Sequence, residues 1–600
     1  MLKMHSFFFG ILQKIMLIVG LHWFFTAIIH LGTISSLALI GVTILAFLAY
    51  PYLENVKKCY RYLMKHKVAI MIAVIIFQLA MLLSAQLLIR RDAAVVFNGA
   101  FKYLKESSIS SYLTRNPNNL FLFLYERFFY NIFGSSALWI LQGLNIFYAD
   151  ITALILYKGM KKHVSKSAAD VTFSLYILLV GFSPYFYSMY TDIWPLPLIA
   201  LQIFLLFDLF GLQWQDNRVL FIKTIGLGLI SGLAVLIRPT VLIIIMAGFM
   251  VLLFKKEWKK FILIFFTFLL SFGVTSIGGN YLKATQTEVT LIQEKGLSKS
   301  PLLFIDLGLT FIGHDQEDMK EGLLQYIDVD QREQYNNGMF KQENVKKEIK
   351  RRLKEYSFFG FLNHLYYKHS LTVSEGTLGW LYRDVECEKT PYISPLYPYT
   401  KKNLVAQFIR TYFLSVDKSE YRYYEIVKQV VWIVMSLGLV FALWKYRADD
   451  KLNMLSLAVF GGLLFLLIFE GGKTRYLIQF LPQIIILSAL GLTKYLPDWL
   501  KSKKGEKIFS DLQKLFKAKG TDRNIKDYCL NKVLNTLFKG TFGIDFGYRI
   551  IRVKDVSSAQ KINFTPNKPN YTYIGGSYIY FFKKKEDMNI IKKELYNEDR

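Results

Sequence analysis

Long apolar runs, broken by short charged clusters, dominate this chain. They lie near residues 15–31, 35–52, 68–89, 137–157, 169–187, 194–211, 224–237, 240–254, 261–280, 429–444, 453–469 and 476–493. A helix needs roughly 17–25 mostly apolar residues to cross a bilayer, so the pattern predicts about twelve transmembrane helices. The two short runs around Pro239 also read as one broken hairpin. Four of the intervening clusters are basic: Lys57, Lys58, Arg61, Lys65 and Lys67; Lys158, Lys161, Lys162 and Lys166; Lys255, Lys256, Lys259 and Lys260; Lys445, Arg447 and Lys451. With twelve crossings all four fall on one side, which the excess of basic residues makes the cytoplasm. Both termini are then expected inside.

Two polar segments are left outside. Residues 90–136 hold an amphipathic stretch at 93–105 and an apolar one at 119–133, interrupted by Lys102, Glu126 and Arg127, and both are expected to lie along the interface. Residues 281–428 are too long for a bare loop, and 340–369 reads helical, so a small extracytoplasmic subdomain is expected. The tail opens with a basic run at Lys501, Lys503, Lys504 and Lys507, reads helical to about 540, and then turns β-like. Its excess of Lys and Arg suits an anionic inner leaflet. The expected fold is an all-α polytopic membrane protein with a large extracytoplasmic loop subdomain and a small α+β cytoplasmic tail. Its parts are an N-terminal hairpin at 1–60, a membrane core at 61–280, the outer subdomain at 281–428, three last spans at 429–495 and the tail at 496–600. No internal repeat is evident.

Composition sharpens this picture. The chain is 53% hydrophobic, with 50 Phe and 38 Tyr, which excludes an ordinary soluble domain. Lys and Arg outnumber Asp and Glu by 73 to 45, an excess that points to lipid headgroups rather than nucleic acid. Only Cys59, Cys387 and Cys529 are present, without metal-ligand spacing or a disulfide framework. The N-terminus is apolar, contains Lys14 and lacks a small-residue cleavage site, so it reads as a retained helix.

Candidate chemistry gathers at the predicted outer ends of the spans. Asp92, in Arg90-Arg91-Asp92, is an acid at a membrane mouth that can act as a general base; a solvated helix end is the plainer alternative. Asp192, in Tyr190-Thr191-Asp192-Ile193-Trp194, can share a cavity with it or simply cap the next helix. Arg238 ends a Gly-bearing span, where an unpaired cation is expensive; it either binds a phosphate or snorkels to headgroups. In Glu470-Gly471-Gly472-Lys473-Thr474-Arg475-Tyr476, Lys473 and Arg475 lie on the side that basic residues usually avoid, which suits either anion binding or ion pairing with Glu470. The runs around Asn118 (Asn116-Pro117-Asn118-Asn119) and Glu375 (Ser374-Glu375-Gly376-Thr377-Leu378-Gly379-Trp380, close to His369) read on their own as turns.

Together these positions resemble the GT-C superfamily of membrane glycosyltransferases. The likeness rests on Asp92 in the first large outer loop, on Arg238-Pro239-Thr240 after a Gly-rich span, and on Glu470, Arg475 and Tyr476 ahead of a span bearing Pro482. Within the superfamily, Asn116-Pro117-Asn118-Asn119 and Glu375-Gly376-Thr377-Leu378-Gly379 resemble the Gram-positive branch associated with an exosortase-like protein. The resemblance covers roughly 60–495. The chain departs from the pattern in lacking an acid adjacent to Asp92, in its two extra N-terminal spans and in its tail. The resemblance implies a polyprenyl-phosphate sugar as donor and inverting transfer to a surface glycan, lipid or protein, a teichoic-acid-like polymer among them. It implies Asp92 as base, Asp192 orienting the acceptor or a metal, and Arg238, Lys473 and Arg475 on the leaving phosphate. It leaves Mg2+ or Mn2+ open as a cofactor. A polymerase or ligase using a lipid-diphosphate glycan, a 12-span transporter and a wall-assembly scaffold are the rival readings.

Overall fold

The computed structural model describes residues 2–49, 52–380, 391–444 and 448–496, and three strands of the tail. Helices dominate, and among the described residues eight are long and apolar enough to cross a membrane: Ser6–Ile34, Lys67–Ser84, Pro117–His163, Trp214–Ile237, Trp258–Thr285, Tyr421–Leu443, Asp450–Ile468 and Thr474–Tyr495. The other four predicted spans fall on shorter helices, and the breaks have local causes. The run at 169–187 is helical over Lys166–Tyr176, passes through a wide turn at Ile177–Gly181 and stops before Pro184. The run at 240–254 becomes Leu242–Lys255 because Pro239 forces Arg238 into an extended backbone (φ −154°, ψ 111°). The stretch at 119–133, expected along the interface, is the helix Leu120–Phe133. It turns at Gly134 (φ +56°) into Ala137–His163, so the two lie end to end.

The Gly-bearing span owes its glycines to packing. A Cβ on Gly228 would stand 1.9 Å from Ser271 Oγ, and one on Gly232 1.9 Å from Thr275 Oγ1. Asn217–Ile237 and Trp258–Thr285 therefore touch backbone to backbone, the small-residue packing that suits helices in lipid. Trp258–Thr285 sits on the rim, with Leu270, Val274 and Ile277 exposed to where acyl chains would be, whereas Thr474–Tyr495 runs through the centre. The N-terminal helix is central too: Phe9, Met16 and Trp23 are fully buried, and Trp23 packs on Trp432 with ring centroids 5.3 Å apart.

Outside the bundle, Pro301–Gly308, Gln316–Leu324 and Gln342–Glu355 close a second small core around Leu303, Leu307, Leu323 and Val345. Arg352 locks it, bonding Asp306 at 3.0 Å and Asp318 at 2.9 Å. An antiparallel pair, Leu87–Ile89 with Tyr392–Ile393, fastens the mouth of the third predicted span to this outer segment. In the tail, Arg549–Val553, Ser577–Phe582 and Tyr571–Ile574 form an antiparallel sheet with Ser577–Phe582 in the middle. The expected tail helix, Lys445, Arg447, Cys387 and Cys529 lie outside the described residues.

Candidate active site at one end of the bundle

The basic clusters and the candidate site occupy opposite ends of the helices. Leu196–Gly211 begins four residues after Asp192 and carries Asp208 near its other end, about 18 Å along the axis from its first residue at 1.5 Å per residue. Around Asp208 gather Lys162 (2.6 Å), His163 (3.1 Å) and Lys223. Nearby, Lys255 pairs with Asp450 at 2.7 Å and Lys451 donates to the His163 carbonyl at 2.9 Å.

At the other end Asp192 is fully buried between two arginines. Arg238 Nη1 reaches its Oδ1 at 2.6 Å, and Arg475 reaches its Oδ2 through Nε at 2.8 Å and Nη2 at 2.7 Å. Burial alone would push the Asp192 carboxyl up, but Arg475 and Arg238 outweigh it and hold the group below the usual carboxylate range. Arg238 can reach because the Pro239 break frees it from the helix. Arg475 lies over the Tyr190 ring, 5.0 Å from its centroid. On the other flank, Gly379 (φ +67°) brings the turn at 374–380 against the Arg475 backbone; a Cβ there would be 3.4 Å from Arg475 N. Glu375 sits inside that turn, accepting from the Gly379 backbone and from Thr377 Oγ1 at 3.5 Å, while burial raises its carboxyl.

A chain of hydrogen bonds leads from Tyr190 to Asp92. The Tyr190 hydroxyl donates to Asn119 Oδ1 at 3.1 Å, Asn119 Nδ2 donates to the Tyr112 hydroxyl at 2.8 Å, and Tyr112 hydrogen-bonds Asp92. Burial, then Asp92 and Tyr190, push the Tyr112 phenol up, so it stays a donor at neutral pH. Asp92 itself is exposed to the cavity above it.

Two half-buried lysines lie within electrostatic reach of Asp92, and Lys299 shares its cavity. Among the described residues neither Lys473 nor Lys299 makes a side-chain hydrogen bond or an ion pair within 4 Å. Burial lowers the Lys473 ammonium, with Arg91 and Arg475 adding to this and Glu470 and Asp92 opposing it. Burial also lowers Lys299, opposed by Asp92 and Glu470. Glu470, meanwhile, is held by the Tyr476 hydroxyl.

The loop carrying these residues is built around a buried lysine. Lys368 Nζ donates to Gly308 O (2.9 Å), Leu467 O (3.0 Å) and Phe469 O (2.6 Å), capping two helix C-termini with one ammonium. A Cβ on Gly471 would stand 2.8 Å from the Lys368 Cε, and one on Gly472 (φ +74°) 2.1 Å from Ile312 O. The paired glycines thus let the loop close over the Lys368 stem and present Lys473 and Arg475 to the mouth.

Of the residues expected from sequence, the structure brings Asp92, Asp192, Arg238, Glu470, Lys473, Arg475 and Tyr476 into one electrostatic neighbourhood. Glu375 stands behind it. Asn118 is exposed at the rim, and its neighbour Asn119 is the one that joins the chain of hydrogen bonds. His369 faces away, its Nδ1 2.8 Å from His22 Nδ1. Sequence reasoning missed Tyr112, Asn119, Tyr190, Lys299 and Lys368. Tyr190 and Asn119 lay within motifs already singled out, whereas nothing in the sequence marks Lys299 or Lys368. Among the described residues no group of three or more His, Cys, Asp and Glu could hold a metal ion.

The model of the family described as conserved hypothetical integral membrane protein matches residues 1–495, and the chain belongs to that family. Among curated proteins no relative matches. Two crystal structures of ArnT from Cupriavidus metallidurans are similar, one in the apo state and one bound to undecaprenyl phosphate. Each is 10% identical with a TM-score of 0.29, covering 86% of this chain and 98% or 97% of the ArnT chain.

Proposed function

We propose that this integral membrane protein is a glycosyltransferase. It moves a sugar from a polyprenyl-phosphate donor to a surface glycan, lipid or protein, at the end of the bundle that faces outward. The observation that carries this reading is the Lys473 ammonium, half-buried, without a hydrogen bond or ion pair within 4 Å among the described residues, and within electrostatic reach of Glu470 and Asp92. A cation held out of water without a partner is costly unless a ligand completes it, and a lipid phosphate at headgroup depth would do so. The cations Lys473, Arg238 and Arg475 face a leaving phosphate, and the exposed Asp92 carboxylate faces an incoming hydroxyl. The basic belt around Asp208 supports the orientation, since cytoplasmic ends carry such clusters.

In the proposed step the acceptor oxygen bonds to the anomeric carbon as the bond from that carbon to the phosphate oxygen breaks. The acceptor proton passes to Asp92, and the polyprenyl phosphate leaves with the electron pair. Lys473 stabilises the negative charge that grows on the phosphate, the preorganised kind of help that counts most in a water-poor site. Asp192 is a positioning residue here: both its oxygens are occupied by guanidinium groups, and it fixes where Arg238 and Arg475 point.

The test is sugar turnover from polyprenyl-phosphate donors in proteoliposomes, wild type against Asp92→Asn. Asp92 is exposed, so the variant inserts normally, and transfer falls by ~10²-fold or more, the scale of a lost general base. Unchanged transfer would remove Asp92 from the chemistry. No transfer by wild type with any such donor would overturn the function.

A further inference from the structure

The space above Asp92 has a chemistry of its own. A cavity of about 560 Å³ opens between Glu106–Arg115 and the outer helix Gln316–Leu324. Besides Asp92 its wall includes Tyr112, Arg115, Lys299, Glu317, Lys320 and Tyr335. The wall is firmly built: Arg115 stacks on Tyr335 (4.2 Å to the centroid) and donates to its carbonyl at 2.7 Å, while the Tyr335 hydroxyl donates to Ser111 O at 2.7 Å. The strap that carries Lys299 is pinned to the same helix, Lys299 N to Arg115 O at 3.0 Å and Ser298 Oγ to Thr114 O at 2.7 Å. Three cations thus line a cavity with two carboxylates. One of these, Asp92, is the proposed base, and among the described residues the Lys299 ammonium has no acid within 4 Å.

We propose that this cavity is the acceptor subsite and that it selects an anionic, hydroxyl-bearing acceptor. The acceptor's phosphate or carboxylate would lie at Lys299, within a sugar or polyol unit or two of the hydroxyl offered to Asp92. The aromatic faces of Tyr112 and Tyr335 suit the carbon side of such a unit. A neutral acceptor would leave the half-buried Lys299 uncompensated. This inference rests on the glycosyltransferase reading for the word acceptor, but not for the anion selectivity.

The test reads the cavity without any transfer assay. A cysteine is placed at Gln316, exposed and lining the cavity, in the full-length chain with its native cysteines replaced by Ser. It is then labelled with anionic and cationic methanethiosulfonates. Cavity potentials of a few kT make the anionic reagent favoured on the order of tenfold over its ratio at a free thiol. Adding Lys299→Gln removes most of that preference, and glycerol 3-phosphate or glucuronate slows labelling where glycerol does not. Protection by glycerol 3-phosphate alone assigns a phosphate, and by glucuronate alone a carboxylate. Equal reagent rates, or a preference that survives Lys299→Gln, would overturn the inference even if Asp92→Asn abolishes transfer. Conversely, anion selectivity in a protein that transfers no sugar would keep the anion site and sink only the transferase reading.

Discussion

Asp192 lies in the turn just before one end of a 16-residue helix, Asp208 near the other end, and the protein treats them differently. Asp208 has Lys162, His163 and Lys223 around it, but Lys162 is 61% exposed and water shares the work. Asp192 is 0% exposed and answered by two arginines alone. The same contrast holds for the lysines. At the Asp208 end three half-buried lysines have acids, Lys67 with Asp170, Lys223 with Asp208 and Lys255 with Asp450, and a fourth, Lys451, is taken up by the His163 carbonyl. At the Asp192 end, among the described residues, Lys473 and Lys299 have no acid within 4 Å and no side-chain hydrogen bond. One end is neutralised for stability; the other holds its acid saturated and its lysines open, which is the arrangement a site needs when an anion is to arrive.

The largest effect is expected from breaking the loop that keeps Lys473 open. Gly472→Ala puts a Cβ into the Ile312 carbonyl and a side chain at φ +74°. The left-handed backbone alone costs about 1–2 kcal/mol, and the clash adds to it. Transfer is lost and the unfolding midpoint in mixed detergent and SDS drops. Gly211, at the Asp208 end with open space around it, takes Ala without loss. Next comes the pair of acids. Asp192→Asn leaves buried guanidinium groups short of charge and costs about 3–5 kcal/mol, whereas Asp208→Asn, with partly solvated partners, costs about 1 kcal/mol or less. Equal costs would erase the distinction between the two ends.

The lysines separate stability from function. Lys473→Gln should keep or raise the unfolding midpoint, because it removes an uncompensated ammonium, while transfer falls roughly 10²–10³-fold, the range for one transition-state donor. Lys255→Gln should do the reverse, lowering the midpoint slightly and sparing transfer. If Lys473→Gln unfolds the protein and leaves the transfer of the remaining fraction intact, the ammonium is structural.

Much of this contrast was legible in the sequence. Each of the twelve apolar runs contains a helix, because hydropathy reports the lipid-facing and buried surfaces alike, and the basic clusters marked one end. The acids and cations of the mouth were visible as charges where spans should end. What stayed hidden depends on tertiary closure. Four runs fell short of membrane-spanning helices through local breaks, at Pro184 and Pro239 among others. The strap bringing Lys299 to Asp92 lies some 200 residues downstream of it with no periodicity to announce it. The reason for Gly471-Gly472 emerged only when Lys368, about 100 residues upstream, was seen beneath them. His369 was drawn into the site by its nearness to Glu375 in sequence, yet helix geometry turns it toward His22.

The smallest effects should come from the hydrogen bonds that tie the two acids of the mouth together. Tyr190→Phe keeps the ring beneath Arg475 but removes the donor to Asn119 Oδ1; Tyr112→Phe removes the contact with Asp92 itself. Tyr190→Phe deletes one hydrogen bond worth about 0.5–1.5 kcal/mol, so kcat/KM should fall between about 2- and 13-fold, and Tyr112→Phe, which loses both the bond from Asn119 Nδ2 and the one with Asp92, should fall at least as far. The two should not add. The bonds share Asn119, so once one is cut the other no longer links the acids, and the double variant should be little worse than the weaker single one. Full additivity would mean that Tyr190 serves only Arg475 and Tyr112 only Asp92. The mouth would then be two independent sites, and its unity would rest on charge alone.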